Sequence, residues 1–198
     1  LFFPPAYTIK SSRDINPLPP IGIGLLAAVL EKNRYQVNIL DCLIREWNQE
    51  EETSANKDVV RVGLTDDQIT EYIKEYQPDV VGVSCMFSVQ HKIYPKIFAA
   101  IKAANPSIHT VAGGAHVTVC SKEVLEDPNC DYIIAGESEE SLVDLLEAIQ
   151  GRKSLESVDG LGWKNEKSEQ TLNPKLRWIE DLDSLPFPAY HLLDLEQY

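Results

Sequence analysis

The sequence is poor in positive charge. It has 18 Lys and Arg residues against 31 Asp and Glu, a formal net charge of −13 at pH 7. Nucleic acids and anionic membrane surfaces are bound through clusters of Lys and Arg, so both are disfavoured as partners. The sequence also lacks an apolar run of about 18 residues, the length that a membrane-spanning helix needs. Nothing at its amino terminus resembles a signal peptide.

Cysteine is scarce and widely spaced. The four cysteines, Cys42, Cys85, Cys120 and Cys130, form no C-x-x-C pair, and three of them lie in or beside apolar runs. This pattern favours buried thiols in a reducing cytoplasm over a disulfide framework or a metal site. The sequence begins at Leu1, inside an apolar run, rather than at Met, so we expect that the chain has been trimmed.

Two apolar periodicities alternate along the chain. Segments with apolar residues at i, i+3, i+4 and i+7 predict four helices, which start near Ile23, Ile69, Ile97 and Leu142. A shorter helix is expected at 121–127. Between them lie runs typical of strands, at 35–40, 79–84, 109–113 and 130–136, with "LFF" at the start as a fifth. Alternating strands and helices predict a doubly wound (Rossmann/flavodoxin-like) α/β fold with a five-stranded parallel sheet.

The pattern changes after Gly151. The runs "GLGWKN" and "EQTLNP" predict a β-hairpin rather than another crossover unit. The remaining segment, "LRWIEDLDSLPFPAYHLLDLEQY", has more bulky apolar residues than a free tail normally exposes. We expect it to pack on the domain or to lead into another one. The predicted domains are an α/β domain at 1–150 and a hairpin with a connector at 151–198.

The segment "PLPPIGIGLLA" (17–27) contains G-x-G-x-x-A, the fingerprint of dinucleotide-binding folds, and Asp41 follows where a ribose-binding acid would stand. In that fingerprint the first glycine directly follows a strand. Here Gly22 follows Asn16-Pro-Leu-Pro-Pro, and proline cannot occupy a central strand. We therefore favour a helix that starts at proline over an NAD or FAD site. Gly22 and Gly24 then either let this helix pack tightly on the sheet or expose its N–H groups to a large ligand.

Three loops at the carboxyl ends of neighbouring predicted strands consist of small residues. Gly113 and Gly114 end the fourth strand, Ser84 and Ser88 follow the third, and "GESEES" follows the fifth. Doubly wound sheets bind ligands beyond the carboxyl ends of their strands. Such slim loops leave room for a ligand that inserts a long polar tail between strands and lays a flat ring above them.

The order of these motifs resembles one family. The segments are "PPIGIGLLAAVLEKNRYQVNILD", "PDVVGVSCMFS", "GGAHVT", "DYIIAGESEESL", "GLGWKN" and "LDSLPFPAYHLL", after an early Pro-Pro. Together they are similar to the N-terminal cobalamin-binding domain of cobalamin-dependent radical SAM enzymes, above all in the subgroup of anaerobic magnesium-protoporphyrin monomethyl ester oxidative cyclases. The resemblance spans essentially all 198 residues.

The resemblance implies that the ligand is cobalamin, with its nucleotide tail beside the third and fourth strands. Ser84 and Ser88 would meet the tail, the diglycine would let it pass, and Gly22 and Gly24 would lie near the corrin edge. The implied cofactor-binding residues are Pro20, Gly22, Gly24, Ser84, Met86, Ser88, Gly113, Gly114, His116, Thr118, Gly136 and Glu137. The family's radical SAM domain, which would carry S-adenosylmethionine and an iron–sulfur cluster on C-x-x-x-C-x-x-C, has no counterpart in this sequence. The chain is therefore expected to be an excised domain without catalytic activity of its own.

One departure concerns cobalt ligation. Cobalamin domains of mutases carry D-x-H-x-x-G after the first strand, whereas the matching loop here, "PPAYTIKSSRDIN", contains no histidine. His116, after the diglycine, is either a ring contact or a loop histidine bonded to backbone. The acids Glu137, Glu139 and Glu140 either accept hydrogen bonds from corrin amides or favour the start of a helix through its dipole.

Three functions stay open at this point. The chain is a cobalamin-binding module of a radical SAM enzyme whose parent chemistry is methyl transfer or oxidative cyclisation, with the missing domain as its partner. Alternatively, it is an NAD- or FAD-binding oxidoreductase domain that uses "GIGLLA", or an interaction domain that has kept the fold and lost the ligand.

Overall fold

The computed structural model of the chain describes residues 1–3, 6–9, 17–53, 56–165 and 167–198. The first half contains β1 (Phe2–Phe3), β2 (Ala6–Ile9), α1 (Ile21–Lys32), β3 (Leu40–Asp41), β4 (Glu50–Thr53), β5 (Asn56–Val62), α2 (Asp66–Tyr76) and β6 (Val80–Ser84). The second half contains α3 (Tyr94–Ala104), β7 (His109–Gly113), α4 (Ala115–Val119), α5 (Ser121–Glu126), β8 (Tyr132–Ile134), α6 (Glu139–Ile149), β9 (Leu161–Lys164) and β10 (Gln170–Leu172). Single turns of 3₁₀ helix lie in the loops and in the last third of the chain.

The larger sheet confirms the predicted doubly wound fold. Its strand order is β10-β9-β8-β7-β6-β1-β3. Five neighbouring strands in this order are parallel, namely β8, β7, β6, β1 and β3. The predicted hairpin, β9 and β10, adds two antiparallel strands beside β8. Both predicted domains therefore contribute to one sheet, and the division at residue 150 stays a prediction.

The two faces of this sheet carry separate cores, as the alternation of side chains along a strand requires. Helices α2 and α3 cover one face, where Ile69 and Ile97 are fully buried with Ala112 of β7. Helices α1 and α6 cover the other, where Val111 packs with Leu142 and other apolar side chains. Each such Leu or Ile contributes about 1.5–3 kcal/mol through burial.

Local signals set the helix boundaries. Thr65 and Gln68 form a capping box at the start of α2, since the Thr65 hydroxyl accepts from Gln68 N and the Gln68 side chain accepts from Thr65 N. Gln77 ends this helix in a left-handed conformation directly before Pro78. The five predicted helices are all confirmed, with boundaries shifted by a few residues.

Three elements differ from the expectations. The strand predicted at 35–40 is wrong in extent, because Leu40 and Asp41 alone pair with Phe2 and Phe3 of β1. A small antiparallel sheet, β2-β5-β4, was not predicted. Helix α4 occupies the segment that was expected to be a loop after the diglycine.

The final segment, residues 173–198, packs on the domain, as one of the two expectations had it. Near its start, Asp159 accepts hydrogen bonds from Leu176 N (2.9 Å) and Arg177 N (3.2 Å). Further on, Ala189 N donates to Gly24 O (2.9 Å), and Ala189 and Leu193 are buried against α1. We call these residues the tail. None of the helices in the described part of the chain is long and apolar enough to cross a membrane.

Candidate functional site

A cavity of about 370 Å³ opens at the carboxyl ends of β6, β7 and β8, between α1 and α6. Its size lies within the range of small-molecule sites, roughly 300–1,000 Å³. The sheet forms its floor, and the first turns of α1 and α6 form its sides. This is the edge at which doubly wound sheets bind ligands.

The floor is arranged in two levels along the strands. Ser84, Gly113 and Gly136 lie at or just beyond the strand ends. Two residues further in, and thus about 6–7 Å deeper, the same face of the sheet presents Gly82 and Val111, which are register partners. Small residues therefore form the floor of the entrance, and the inner level is apolar.

Two glycines keep the entrance open for lack of a side chain. A Cβ atom at Gly113 would have one neighbour, Ser138 Oγ at 3.6 Å, and one at Gly22 would have none within 4 Å. Gly114 has a different role, since its φ of +109° is a conformation that side chains rarely allow. A Cβ there would lie 2.9 Å from Cys85 O, so Gly114 shapes the turn itself.

Glu137 lines the cavity, but the tail holds its polar groups. Its carboxylate accepts a hydrogen bond from Ile179 N (2.7 Å), and its carbonyl accepts one from Lys175 Nζ (2.6 Å). The preceding Gly136 has a φ of +76°, which turns the chain from β8 toward α6. The role predicted for Glu137 toward corrin amides stays untested, and this carboxylate already has a partner within the chain.

The structure brings eight of the twelve predicted cofactor-binding residues to the cavity. Those that line it are Pro20, Gly22, Ser84, Met86, Gly113, Gly114, Gly136 and Glu137. Gly24, Ser88, His116 and Thr118 do not line it. Whether the eight hold a ligand stays a prediction.

The four others have contacts within the protein. A Cβ at Gly24 would lie 3.3 Å from both Leu193 and Pro188, so this glycine admits the tail, whereas Gly22 faces the cavity. The Thr118 hydroxyl donates to Gly114 O (3.1 Å) and accepts from Gly136 N (2.9 Å). It thus joins the two loops that border the entrance.

His116 lies behind the entrance in α4. Its Nδ1 is hydrogen-bonded to the Ser88 hydroxyl (2.9 Å), and its ring packs against Tyr94. Burial, with a smaller contribution from His91, lowers the pKa of His116 below its usual value of 6.5. The contacts of His116 thus lie within the protein, but its partner is a side-chain hydroxyl rather than the predicted backbone group, and it lies in a helix instead of a loop. Its role as a ring contact stays a prediction.

The lowered pKa predicts a stability loss on the acid side of neutrality. His116 is neutral at pH 7 in the folded chain, whereas the unfolded chain binds its proton near pH 6.5. The free energy of unfolding should therefore fall as pH drops below about 6.5, because the unfolded state takes up the proton first. Urea unfolding at several pH values measures this slope, and His116→Asn should reduce it. An NMR titration that places the His116 pKa at or above 6.5 would contradict the prediction.

Sequence reasoning missed several apolar residues at the cavity. Leu18, Ile21 and Phe87 line it and are exposed, at 80%, 43% and 58%. Exposed apolar side chains around a cavity are typical of a binding surface. Their only signal in the sequence was their position beside the prolines and the "SCMFS" loop.

The dinucleotide fingerprint requires a first glycine directly after a strand and an acid that is free to bind ribose, and the structure shows neither. Gly22 lies in the first turn of α1, far along the chain from the end of β1 at Phe3. The Asp41 carboxylate accepts hydrogen bonds from Leu43 N and Ile44 N and from the Tyr198 hydroxyl at the end of the tail. It is buried and already bonded, so it does not resemble a free ribose-binding acid.

The four cysteines are free thiols, three of them buried, and burial raises the pKa of Cys130 to about 12. Among the described residues, no group of His, Cys, Asp and Glu has the arrangement of a metal site. Of the loop that stands where other cobalamin domains carry a histidine, residues 4–5 and 10–16 lie outside the described ranges.

Comparison with known proteins adds independent findings. The family model described as "B12 binding domain" matches residues 15–146. The chain is 32% identical over 199 residues to cytidylyl-2-hydroxyethylphosphonate methyltransferase of Streptomyces wedmorensis, covering 90% of this chain and 37% of that protein. It is 29% identical over 203 residues to anaerobic magnesium-protoporphyrin IX monomethyl ester cyclase of Rubrivivax gelatinosus, covering 100% of this chain and 33% of that protein. The chain thus spans about a third of the length of these relatives.

Solved structures agree on the fold. The cobalamin-dependent radical enzyme OxsB, with aqua-cobalamin and S-adenosylmethionine bound, matches with a TM-score of 0.69 and 20% identity over 95% of this chain and 23% of that one. The radical methyltransferase TsrM from Kitasatospora setae, with cobalamin and an iron–sulfur cluster bound, matches with a TM-score of 0.61 and 19% identity over 87% of this chain and 29% of that one.

Proposed function

Because the chain belongs to the B12-binding domain family, we propose that it binds cobalamin and places the nucleotide arm of the cofactor in the cavity between α1 and α6. One observation carries the proposal. The carboxyl edge of the sheet has a cavity whose entrance is kept open by glycine, where an added Cβ at Gly22 or Gly113 would meet nothing or a single hydroxyl. No bulky side chain of the described residues closes this entrance.

The residues at the cavity fit the parts of a corrinoid. The hydroxyls of Ser84 and Ser138 stand at the entrance, where the ribose and phosphate of the arm would lie. The exposed apolar side chains of Leu18, Met86 and Phe87 border the same entrance and would contact the corrin ring. The protein would hold and orient the cofactor, and cobalt would supply methyl-transfer or electron-transfer chemistry.

We further propose that the chain is one part of a radical SAM enzyme. The relatives that it matches are a methyltransferase and cyclases about three times its length. A further domain would then carry S-adenosylmethionine and the iron–sulfur cluster, since this sequence has no C-x-x-x-C-x-x-C motif. The tail offers a surface for such a domain, because Leu176, Trp178 and Phe187 are 74%, 60% and 91% exposed.

Retention of a corrinoid tests the proposal directly. The purified chain, mixed with hydroxocobalamin and passed through a desalting column, should elute with about one equivalent of corrin absorbance. A parallel sample with cobinamide, which lacks the nucleotide arm, should elute with far less corrin absorbance, because cobinamide has no arm to bury in the cavity. Elution of the chain without corrinoid in both samples would refute the function, and equal retention of both would refute the use of the cavity.

A further inference from the structure

We propose that Lys175, near the start of the tail, is a positioning residue for the nucleotide arm of the cofactor. From outside the cavity, its ammonium fixes the peptide between Glu137 and Ser138, and with it the hydrogen-bond donor that this loop turns toward the arm. The inference rests on the proposed function, since it concerns the same cavity. It assigns a role in binding to a side chain that does not line the cavity.

The Lys175 side chain runs between two glycines that leave space for it. A Cβ at Gly136 would lie 3.1 Å from Lys175 Cγ, and a Cβ at Gly160 would lie 3.0 Å from Lys175 Cδ. Contacts this short are tighter than close-packed side chains tolerate without moving. The lack of side chains at these two positions thus holds open a path along which the lysine reaches the back of the loop between β8 and α6.

The ammonium at the end of this path has as many acceptors within reach as it has N–H groups. Its Nζ lies 2.6 Å from Glu137 O, 3.2 Å from Ser141 Oγ and 3.1 Å from Asp159 Oδ2. The side chains of Lys175 and Asp159 are 13% and 7% exposed, so salt and water screen this ion pair only weakly. Three acceptors around one atom suit a compact ammonium better than a planar guanidinium.

Asp159 fixes the position of Lys175 and neutralises its charge. The same carboxylate accepts hydrogen bonds from Leu176 N (2.9 Å) and Arg177 N (3.2 Å), so the backbone that follows the lysine is held at the ion pair. Because the two opposite charges adjoin, the pair has little net charge that could attract the phosphate of the arm. The effect of Lys175 on a ligand must therefore come through the geometry of the loop.

A single peptide unit carries this effect to the cavity. The Glu137 carbonyl points at Lys175, and in a planar trans peptide the N–H of the next residue, Ser138, points the opposite way. Lys175 lies outside the cavity, whereas Glu137 and Ser138 line it, so this N–H is directed to the cavity side. It has no acceptor within the described part of the chain. Ser138 also stands directly before α6, where the helix dipole favours a negatively charged group such as a phosphate.

Lys175→Met tests the inference, because methionine keeps most of the stem and removes the ammonium. Without that anchor the Glu137 carbonyl can turn, and the Ser138 N–H then no longer faces the arm. Absorbance titration of the full chain should show about tenfold weaker binding of cobalamin, the effect of one lost hydrogen bond. Cobinamide has no nucleotide arm, so its weak binding should change by less than about twofold.

Lys175→Arg distinguishes geometry from charge and covers the case in which Lys175→Met does not fold. Arginine keeps the positive charge beside Asp159, so the chain should stay folded, which circular dichroism measures. Its planar head cannot contact the carbonyl, the hydroxyl and the carboxylate in the same arrangement. We expect cobalamin binding to remain several-fold weaker than in the parent chain.

Lys153→Met is the matched control. Lys153 also forms an ion pair with a carboxylate, that of Asp144 (2.6 Å), and its side chain is 31% exposed. It lies beyond the end of α6 that is far from the loop. The substitution should lower the free energy of unfolding, measured in urea, without changing the affinity for cobalamin.

The outcomes separate this inference from the proposed function. Unchanged affinity for cobalamin in Lys175→Met or in Lys175→Arg would overturn the inference while the cobalamin site stands. An equal loss for cobalamin and cobinamide, or an equal loss in Lys153→Met, would overturn it as well, because the effect would then not concern the arm or this loop. Binding of neither corrinoid by the parent chain would overturn the proposed function itself.

Discussion

Gly113→Val is expected to abolish corrinoid retention while the chain stays folded. The new Cβ would meet Ser138 Oγ at 3.6 Å, an ordinary contact, and β-branched residues are favoured in strands. The two methyl groups would then occupy the cavity entrance between β7 and α6. If these methyl groups prevent the nucleotide arm from burying roughly 120 Å² of apolar surface, the free energy of binding becomes weaker by about 3 kcal/mol. This corresponds to about a hundredfold lower affinity.

Two measurements on the same variant separate binding from stability. Absorbance titration with hydroxocobalamin gives the affinity, and urea unfolding gives the free energy of unfolding, which should change by less than about 1 kcal/mol. Ser107→Val, at the amino ends of the strands, is the control for added apolar surface far from the entrance. Wild-type affinity in Gly113→Val would show that the arm does not pass this glycine. If the parent chain binds no corrinoid, the alternative of a ligand-free interaction domain is favoured.

Gly114→Ala is expected to destabilise the chain by about 2–4 kcal/mol. Gly114 has φ 109° and ψ 177°, a region open almost only to glycine. Its Cβ would lie 2.9 Å from Cys85 O and 3.1 Å from Met86 Sδ. The Cys85 backbone cannot move away easily, because its N–H donates to Gly113 O (2.7 Å) and its carbonyl accepts from His116 N (3.1 Å).

The control for this prediction is Gly22→Ala. Gly22 lies in the first turn of α1, where its Cβ would meet nothing within 4 Å, so alanine should be neutral or stabilise by up to about 1 kcal/mol. Urea or thermal unfolding of both variants measures the difference. A Gly114→Ala chain as stable as Gly22→Ala would show that the turn after β7 relaxes freely. Gly113→Val thus tests whether the cavity entrance must stay open for the ligand, and Gly114→Ala tests whether the turn needs the backbone conformation of glycine.

The sequence predicts those elements of the fold whose own residues repeat with the period of a helix or a strand. Helices α2 and α6 have an apolar stripe against a polar face, and that stripe is a local property. In the second sheet the pairing of β2 with β5 was not readable, because β2 lies far earlier in the chain. Pairing at such separation depends on tertiary context, which propensity does not report.

The candidate site divides in the same way. Small residues at strand ends, such as Gly113 and Ser84, signal an open edge, and the structure places them at the cavity. Val111 and Leu142 were indistinguishable from ordinary core residues, because their exposure to a cavity depends on the spacing of α1 and α6. The hydrogen bond between Ser88 and His116 joins residues 28 apart in sequence, so neither residue showed its partner.

The tail is bonded to both sides of the cavity without lining it. Ile179 N donates to Glu137, just before α6, and Ala189 N donates to Gly24 in α1. The separation of these two helices therefore depends in part on the position of residues 179–189. A rigid-body displacement of anything attached to the tail would widen or narrow the gap between α1 and α6. Admission and release of a cofactor would in this way be coupled to motion at a distance, with no direct contact between the moving part and the ligand.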